Sequence, residues 1–204
     1  MKTHATRRPV VAALPGFDHI ERVWDAHQSI WLARIHPGDI CVTASAEGVT
    51  TVLGSCVSAC LRDTRTGIGG MNHFMLPPES DGGADRVGPG SDAMADLVNA
   101  VLAHGCGDRS RLELKLVGGA GVTTAAQAVA RRAVEFVRTF VASAQLAIAA
   151  EDVGGPLGRE VIYWPGTGQL RIRKLRGLQA LLAEREREYA AALQARRAVG
   201  GRVG

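Results

Sequence analysis

Two hydrophobic periodicities alternate along this chain without the regular strand–helix–strand order of a parallel sheet. Short β-branched or alternating segments bounded by glycine or proline predict strands at residues 39–43, 49–53, 68–76, 112–116, 146–150, 161–164 and 169–174. Helical spacing and composition predict helices at residues 91–102, 124–141 and 178–197. Residues 57–62 fit either an extended segment or a short helix. Because strands and helices are mixed irregularly, the pattern predicts an α+β fold.

The composition suits one globular domain with extensions. The chain has 204 residues, of which 46% are hydrophobic and 22% charged, and these values exclude a wholly disordered chain. No window approaches the roughly 18 uninterrupted apolar residues of a membrane span, so we predict no membrane insertion. Arg7 and Arg8 precede only five apolar residues. An export signal needs roughly 7–15, so we predict a cytoplasmic protein.

Positive charge is concentrated at the C-terminal end. Residues 171–204 contain nine Lys or Arg and three Glu, whereas the rest of the chain contains 15 basic and 17 acidic residues. Such a segment can contact nucleic acid, a membrane surface or an acidic partner, but the alternating charges at residues 184–188 are more typical of a solvated helix. Tyr189 is the one aromatic residue in this segment, so we predict no nucleic-acid partner.

A cysteine and a histidine have a spacing and local sequence that suit a cysteine nucleophile with a histidine base. Cys56 follows a Gly54-Ser55 turn at the end of one predicted strand, and His73 lies 17 positions further on in another. Such a turn leaves backbone N–H groups that can lower the thiol pKa and hold an oxyanion. If the strands pair, His73 can act as the base for the Cys56 thiol. A hydroxyl of Thr50 or Thr51 can orient the imidazole.

Two other interpretations of these residues are weaker. Cys56 and Cys60, with His73 nearby, could ligate zinc, but no second closely spaced pair follows and the two cysteines are too far apart on a strand to chelate. The four cysteines form no C-x-x-C pair, so we predict free thiols. Three of them are predicted to be buried core residues: Cys41, Cys60 and Cys106.

Two further motifs are predicted to be structural. The Gly-Gly-Ala-Gly run at residues 118–121 lacks the lysine and the spacing of a phosphate-binding loop, so it predicts a tight strand–helix turn. Glu151 and Asp152 are adjacent on a predicted strand and therefore face opposite sides. Pairing with Arg159 or Arg171 is the role expected for these acids.

Several separate sequence blocks agree in order and spacing with one known family. G-S-C-V-S-A-C-L-R-D at residues 54–63 and G-G-M-N-H-F-M-L-P at residues 69–77 resemble the CheD family, the chemoreceptor glutamine deamidases of bacterial chemotaxis. L-P-G-F-D-H (14–19), H-P-G-D (36–39), K-L-V-G-G-A (115–120) and A-E-D-V-G-G (150–155) are similar to further family blocks. The resemblance defines a domain at residues 14–176, a flexible lead at 1–13 and an arginine-rich helical extension at 177–204.

The resemblance implies a fold, an activity and a set of catalytic residues. The fold is a layered α/β sandwich of mixed strands with flanking helices, resembling the cysteine-hydrolase fold of deamidating bacterial toxins. Cys56 matches the family's nucleophile, His73 its histidine and Thr50, six positions before the cysteine, its third member. The implied reaction converts a protein glutamine to glutamate through a thioester and needs no metal or organic cofactor.

The resemblance also implies partners. The protein substrates are the helices of chemoreceptor cytoplasmic regions, the methyl-accepting chemotaxis proteins. In some bacteria, similar proteins also bind a CheC-type phosphatase, so a chemotaxis adaptor that needs no catalysis is the alternative function. Intact Cys56, His73 and Thr50 favour the enzyme, because binding alone has no physical need for all three.

Overall fold

The computed structural model describes residues 10–76 and 89–200. Residues 1–9 of the predicted lead, residues 77–88 and residues 201–204 of the predicted extension lie outside this range. Within the described residues, ten strands form two five-stranded mixed sheets, accompanied by three α-helices. The α+β prediction is confirmed.

Each sheet combines antiparallel pairs with one parallel pair. The first sheet has the order β1 (Glu21–Asp25), β2 (Ile30–Arg34), β4 (Gly48–Leu53), β9 (Gly158–Trp164) and β10 (Gln169–Leu175), with β2 and β4 parallel. The second sheet has the order β3 (Ile40–Thr43), β6 (Gly69–Asn72), β5 (Val57–Asp63), β7 (Leu112–Gly118) and β8 (Ile148–Val153), with β7 and β8 parallel. The chain passes from the first sheet to the second between β4 and β5, at the turn that carries Cys56.

The helices are α1 (Pro89–His104), α2 (Thr124–Ser143) and α3 (Gln179–Gly200), and a 3₁₀ turn spans Arg109–Arg111. One apolar core lies between the second sheet and the pair α1 and α2. A second core lies between the two sheets and contains all three fully buried cysteines, Cys41, Cys56 and Cys60. Cys106 is only half-buried, so its predicted core position is wrong.

The hairpin of β1 and β2 was not predicted from the sequence. β1 and β2 pair antiparallel in the segment before the His36-Pro37-Gly38 turn, with Trp24 opposite Trp31. The Asp25 carboxylate accepts hydrogen bonds from the backbone N–H groups of His27 and Gln28 and closes the connection. Residues 57–62, which fitted two structures, lie in strand β5 because β6 and β7 pair with it on both sides.

The glycine run after β7 is the predicted strand–helix turn. Gly118 and Gly119 have positive φ values of 113° and 61°, which favour glycine. The backbone N–H of Gly119 donates to the Cys56 carbonyl at 2.7 Å, and that of Ala120 donates to the Gly54 carbonyl at 2.7 Å. The run therefore supports the turn that carries Cys56. Thr123 then caps α2, because its hydroxyl accepts from the Ala126 N–H at 3.1 Å.

None of the helices described is both long enough and apolar enough to cross a membrane.

Candidate active site

Cys56 lies in the core between the sheets. It follows the turn after β4 and directly precedes β5, where residues alternate between the two cores. Cys56 and Cys60 belong to the core between the sheets, whereas Val57 belongs to the core beneath the helices. The Cys56 residue is only 1% exposed, so the thiol is closed off from solvent in this structure.

His73 follows β6 and is held by backbone bonds on both sides. Its carbonyl accepts from the Gly38 N–H at 2.7 Å, and its N–H donates to the Asp39 carbonyl at 3.0 Å. The next residue, Phe74, forms an antiparallel bridge with Val57, the residue after Cys56. Phe74 faces the helices, so His73 faces the core between the sheets. The structure therefore brings Cys56 and His73 to one face of neighbouring strands.

A threonine fixes the protonation of the His73 ring. The Thr51 oxygen lies 2.8 Å from His73 Nδ1, and the Thr51 hydroxyl donates to the Ile35 carbonyl at 2.8 Å. A hydroxyl has one proton to donate. Because that proton is used on Ile35, the Thr51 oxygen accepts from Nδ1, which therefore carries the ring proton. The lone pair of the neutral imidazole is then on Nε2.

His73 Nε2 is buried and has no hydrogen-bond partner in the described part of the chain. A buried polar atom left without a partner costs about 1–3 kcal/mol, so such atoms are rare and point to a function. An unpartnered Nε2 lone pair beside a cysteine strand is the group that a general base requires.

Thr50 does not occupy the position that was expected of it. Its hydroxyl donates to the Val161 carbonyl at 2.8 Å, and its side chain is half-buried on the other face of β4. Neighbouring residues of a strand face opposite sides, and Val49, Thr51 and Leu53 are the residues of β4 that face His73 and the core. Of the two threonines, Thr51 is the one that contacts the imidazole in this structure, and the catalytic role implied for Thr50 stays a prediction.

Backbone N–H groups converge beside the thiol. The carboxylate of Glu186, on α3, accepts from the Ser55 N–H and, at 3.3 Å, from the Cys56 N–H. Two adjacent N–H donors that hold a carboxylate oxygen are equally suited to hold the oxyanion of a tetrahedral intermediate. The turn in the sequence predicted these N–H groups, but Glu186 was missed because the alternating charges around it, including Arg185 and Arg187, suggested a solvated helix.

Burial favours the neutral forms of the Cys56 thiol and the His73 imidazole. Burial raises the pKa of the Cys56 thiol well above its ordinary value, and the nearby Glu186 carboxylate raises it further. Burial also lowers the pKa of His73 to about 3, assisted by the charge of His36. Burial raises the pKa of Glu186 as well, against hydrogen bonds from Ser55 and Cys56 that lower it. The site shown is therefore a closed state with a protonated thiol and a neutral imidazole.

Neighbouring polar residues serve the scaffold. Asn72, fully buried, accepts from the Ala59 N–H at 2.8 Å and donates to the Ala93 carbonyl at 2.9 Å, which ties β6 to β5 and α1. Arg159 pairs with Asp152 at 2.7 Å, so that predicted pairing is confirmed. Glu151 instead pairs with Arg138. A groove of about 530 Å³ lies along α2 and does not include Cys56 or His73.

A buried thiol, an imidazole with a free Nε2 and two converging N–H donors are the groups that a thiol hydrolase uses, and here they lie together on a two-sheet α+β fold. The family model described as CheD chemotactic sensory transduction matches residues 75–174. A protein of Halorhodospira halophila is 43% identical over 86% of this chain and 85% of its own length. One of Hahella chejuensis is 40% identical over 89% of each chain, and one of Rhodopseudomonas palustris is 35% identical over 95% of this chain and 93% of its own length.

All three relatives are described as probable chemoreceptor glutamine deamidase CheD. At this identity and coverage, the chain belongs to the CheD family. The resemblance found in the sequence motifs is confirmed.

Proposed function

We propose that this chain is a chemoreceptor glutamine deamidase in which Cys56 is the nucleophile, His73 the general base and acid, and Thr51 the residue that orients the imidazole. The observation that carries the proposal is the pair of contacts around His73: the Thr51 oxygen lies 2.8 Å from Nδ1, which assigns the ring proton to that atom, and Nε2 has no partner among the described residues. This is the protonation state that a base for a thiol needs.

The reaction proceeds in two halves. His73 Nε2 takes the Cys56 proton, and the thiolate attacks the side-chain carbonyl carbon of a glutamine. The N–H groups of Ser55 and Cys56 stabilise the oxyanion. The imidazolium returns its proton to the leaving nitrogen, the C–N bond breaks and ammonia departs, leaving a thioester. His73 then removes a proton from water, which attacks the thioester, and collapse of this second intermediate gives glutamate and the free thiol.

The relatives' names provide the substrate class. We infer that the substrates are glutamines on the cytoplasmic helices of chemoreceptors, and that the protein acts in the cytoplasm. No step of this mechanism requires a metal or an organic cofactor. We also propose that the two-sheet sandwich corresponds to the cysteine-hydrolase fold of deamidating bacterial toxins.

The test compares Cys56 with Cys60, which is buried in the same core between the sheets. The native protein, Cys56→Ala and Cys60→Ala are incubated with a chemoreceptor cytoplasmic fragment, and ammonia release and peptide masses are measured. We expect glutamine-to-glutamate conversion by the native protein and Cys60→Ala, and none by Cys56→Ala. Conversion that survives Cys56→Ala would contradict the proposal.

The adaptor function is the alternative, and the same variants separate it from catalysis. Binding to a receptor or a CheC-type phosphatase depends on surface shape, and Cys56 is only 1% exposed. An adaptor would therefore bind these partners equally well with and without the Cys56 thiol, while neither protein converted any glutamine. Glutamine conversion that disappears with Cys56→Ala would support the deamidase function over the adaptor function.

A further inference from the structure

Helix α3 crosses the candidate active site with one face. Leu182, Glu186 and Tyr189 lie at i, i+4 and i+7 and are buried or half-buried, whereas Glu184, Arg185, Arg187 and Glu188 are exposed. Residues at this spacing share one face of a helix. They extend over about 10 Å at 1.5 Å per residue, enough to reach from one side of the Cys56 turn to the other.

Leu182 anchors the helix on the cysteine side. It is 6% exposed and packs in a small apolar cluster with Ala120, Val122 and Leu175. A Cβ added at Gly158 would collide with the Leu182 side chain, so the absence of a side chain in β9 makes room for it. Ala120 belongs to the glycine turn that supports Cys56, and the anchor is therefore directly connected to the site.

Tyr189 contacts the histidine side. Its hydroxyl would lie 3.1 Å from a Cβ added at Gly38, and the N–H of Gly38 donates to the His73 carbonyl at 2.7 Å. Tyr189 and Ala190 also pack against the core between the sheets. Between these two anchors, the helix places Glu186 at the thiol.

Glu186 has the chemistry of the reaction product. Its side chain is that of glutamate, and its oxygen Oε1 accepts from both N–H groups assigned to the oxyanion. A Cβ added at Gly54 would collide with this carboxylate, so the turn is shaped to admit it. A helix that carries a glutamate is also the form in which a receptor helix leaves the enzyme.

We propose that α3 is a product-mimicking strap of this enzyme: it lies in the groove that receives the receptor helix, holds the Glu186 side chain where the substrate side chain reacts, and must leave before a receptor can bind. This inference rests on the proposed function for the identity of the competing helix. The occlusion of Cys56 by α3 does not depend on it.

The strap is built to be displaced. Leu182 is the one fully buried apolar side chain among residues 179–191, the part of the helix whose side chains are described, and the other contacts of this part are half-buried. An element held by few buried apolar contacts opens at low free energy without unfolding the rest of the protein. A receptor helix that offers a better apolar face, with glutamine in place of Glu186, can therefore compete for the groove.

The first experiment converts the strap into a substrate. In Glu186→Gln, the amide at position 186 lies at the Cys56 thiol, and the reaction consumes water and releases ammonia to restore glutamate. Peptide mass measures this conversion in the purified full chain. We expect conversion in Glu186→Gln, none in Glu186→Gln combined with Cys56→Ser, and none in Glu188→Gln, whose side chain is on the exposed face two residues away.

Parallel incubation with a receptor fragment distinguishes the two proposals. If Glu186→Gln deamidates the receptor but keeps its own amide at position 186, the strap proposal is overturned and the proposed function stands. If the amide at position 186 is converted only when Cys56 is intact, both stand.

The second experiment does not require deamidation. Iodoacetamide is added to the native full chain, Leu182→Ala and Glu188→Gln, and alkylation of Cys56 is followed by peptide mass. We expect Leu182→Ala to be alkylated at Cys56 about tenfold faster, a change that corresponds to about 1.4 kcal/mol of strap opening. Glu188→Gln should match the native rate. Equal rates for all three, with melting temperature unchanged, would overturn the strap even if no receptor is deamidated.

Discussion

Replacing Thr51 by valine tests how the imidazole is held. Valine keeps the shape of threonine and removes the hydroxyl, which contacts His73 Nδ1 at 2.8 Å and donates to the Ile35 carbonyl at 2.8 Å. The Nδ1–H then has no acceptor at this position. The ring can regain a partner only by rotating or by moving its proton to Nε2, and either change disturbs the free Nε2 lone pair that the proposed mechanism requires.

The expected loss follows from the cost of that hydrogen bond. A buried donor left without a partner costs about 1–3 kcal/mol. If the reactive tautomer becomes less favourable by this amount, the population with a free Nε2 lone pair falls by roughly 10–100-fold, because each ten-fold corresponds to about 1.4 kcal/mol. We therefore expect kcat/KM of Thr51→Val to fall by about 10–100-fold, with a loss of about 1–3 kcal/mol in the free energy of unfolding.

The assay is the initial rate of glutamine conversion in a receptor fragment, with Thr50→Val and Thr51→Ser as matched variants. Thr50 donates to Val161 at 2.8 Å and faces away from His73, so Thr50→Val should keep its activity and lose about 1 kcal/mol of stability or less. Thr51→Ser should restore most of the rate. Loss of activity in Thr50→Val with a fully active Thr51→Val would refute the geometry argued from this structure.

Two other changes have defined outcomes. A Cβ at Gly118 would meet the Cys56 carbonyl, and φ there is 113°, whereas Gly154, with φ of 77°, has open space around it. Gly118→Ala should therefore lose activity and about 3 kcal/mol of stability, whereas Gly154→Ala should lose about 1 kcal/mol of stability and keep its activity. Thermal melting and the deamidation assay measure the two effects. Burial lowers the pKa of His73 to about 3 from 6.5, so the unfolded chain binds the additional proton between these values. His73 should then reduce stability as pH falls from 6.5 towards 3, by up to about 1.4 kcal/mol per pH unit; the melting temperature of His73→Gln should be less dependent on pH over this interval, and equal slopes would contradict the buried neutral imidazole.

The sequence was most informative where local pattern and core position agree. Strand β4 and helix α2 show the alternation and the helical spacing that their burial requires, and both were predicted. The hairpin of β1 and β2 escaped because its connection depends on the Asp25 side chain and on cross-strand contacts such as Trp24 against Trp31. Such pairing has no signature within a single strand.

At the candidate site too, local pattern predicts some features, whereas tertiary packing decides the others. Alternation along β4 requires Thr50 and Thr51 to face opposite sides, but it does not say which side His73 occupies. That choice is made by the second sheet, through the bridge between Val57 and Phe74. The Ile35 carbonyl, which assigns the Thr51 proton, is a backbone group without any residue-type signal. Glu186 is 130 positions from Cys56, and only the packing of Leu182 and Tyr189 brings it to the thiol.

The proposed strap connects access to the site with the reactivity of the thiol. In the closed state, burial and the Glu186 carboxylate both raise the pKa of Cys56, and the same helix occupies the oxyanion donors. Departure of α3 removes the carboxylate, frees the N–H groups of Ser55 and Cys56 and opens the thiol to a substrate amide in one event. As long as position 186 carries a carboxylate, the thiolate is thus favoured only when the groove is open to a receptor helix. Oxidation of cysteine also proceeds through the thiolate. The proposed closed state, in which Glu186 occupies the groove, would therefore protect Cys56 from oxidation when no substrate is bound.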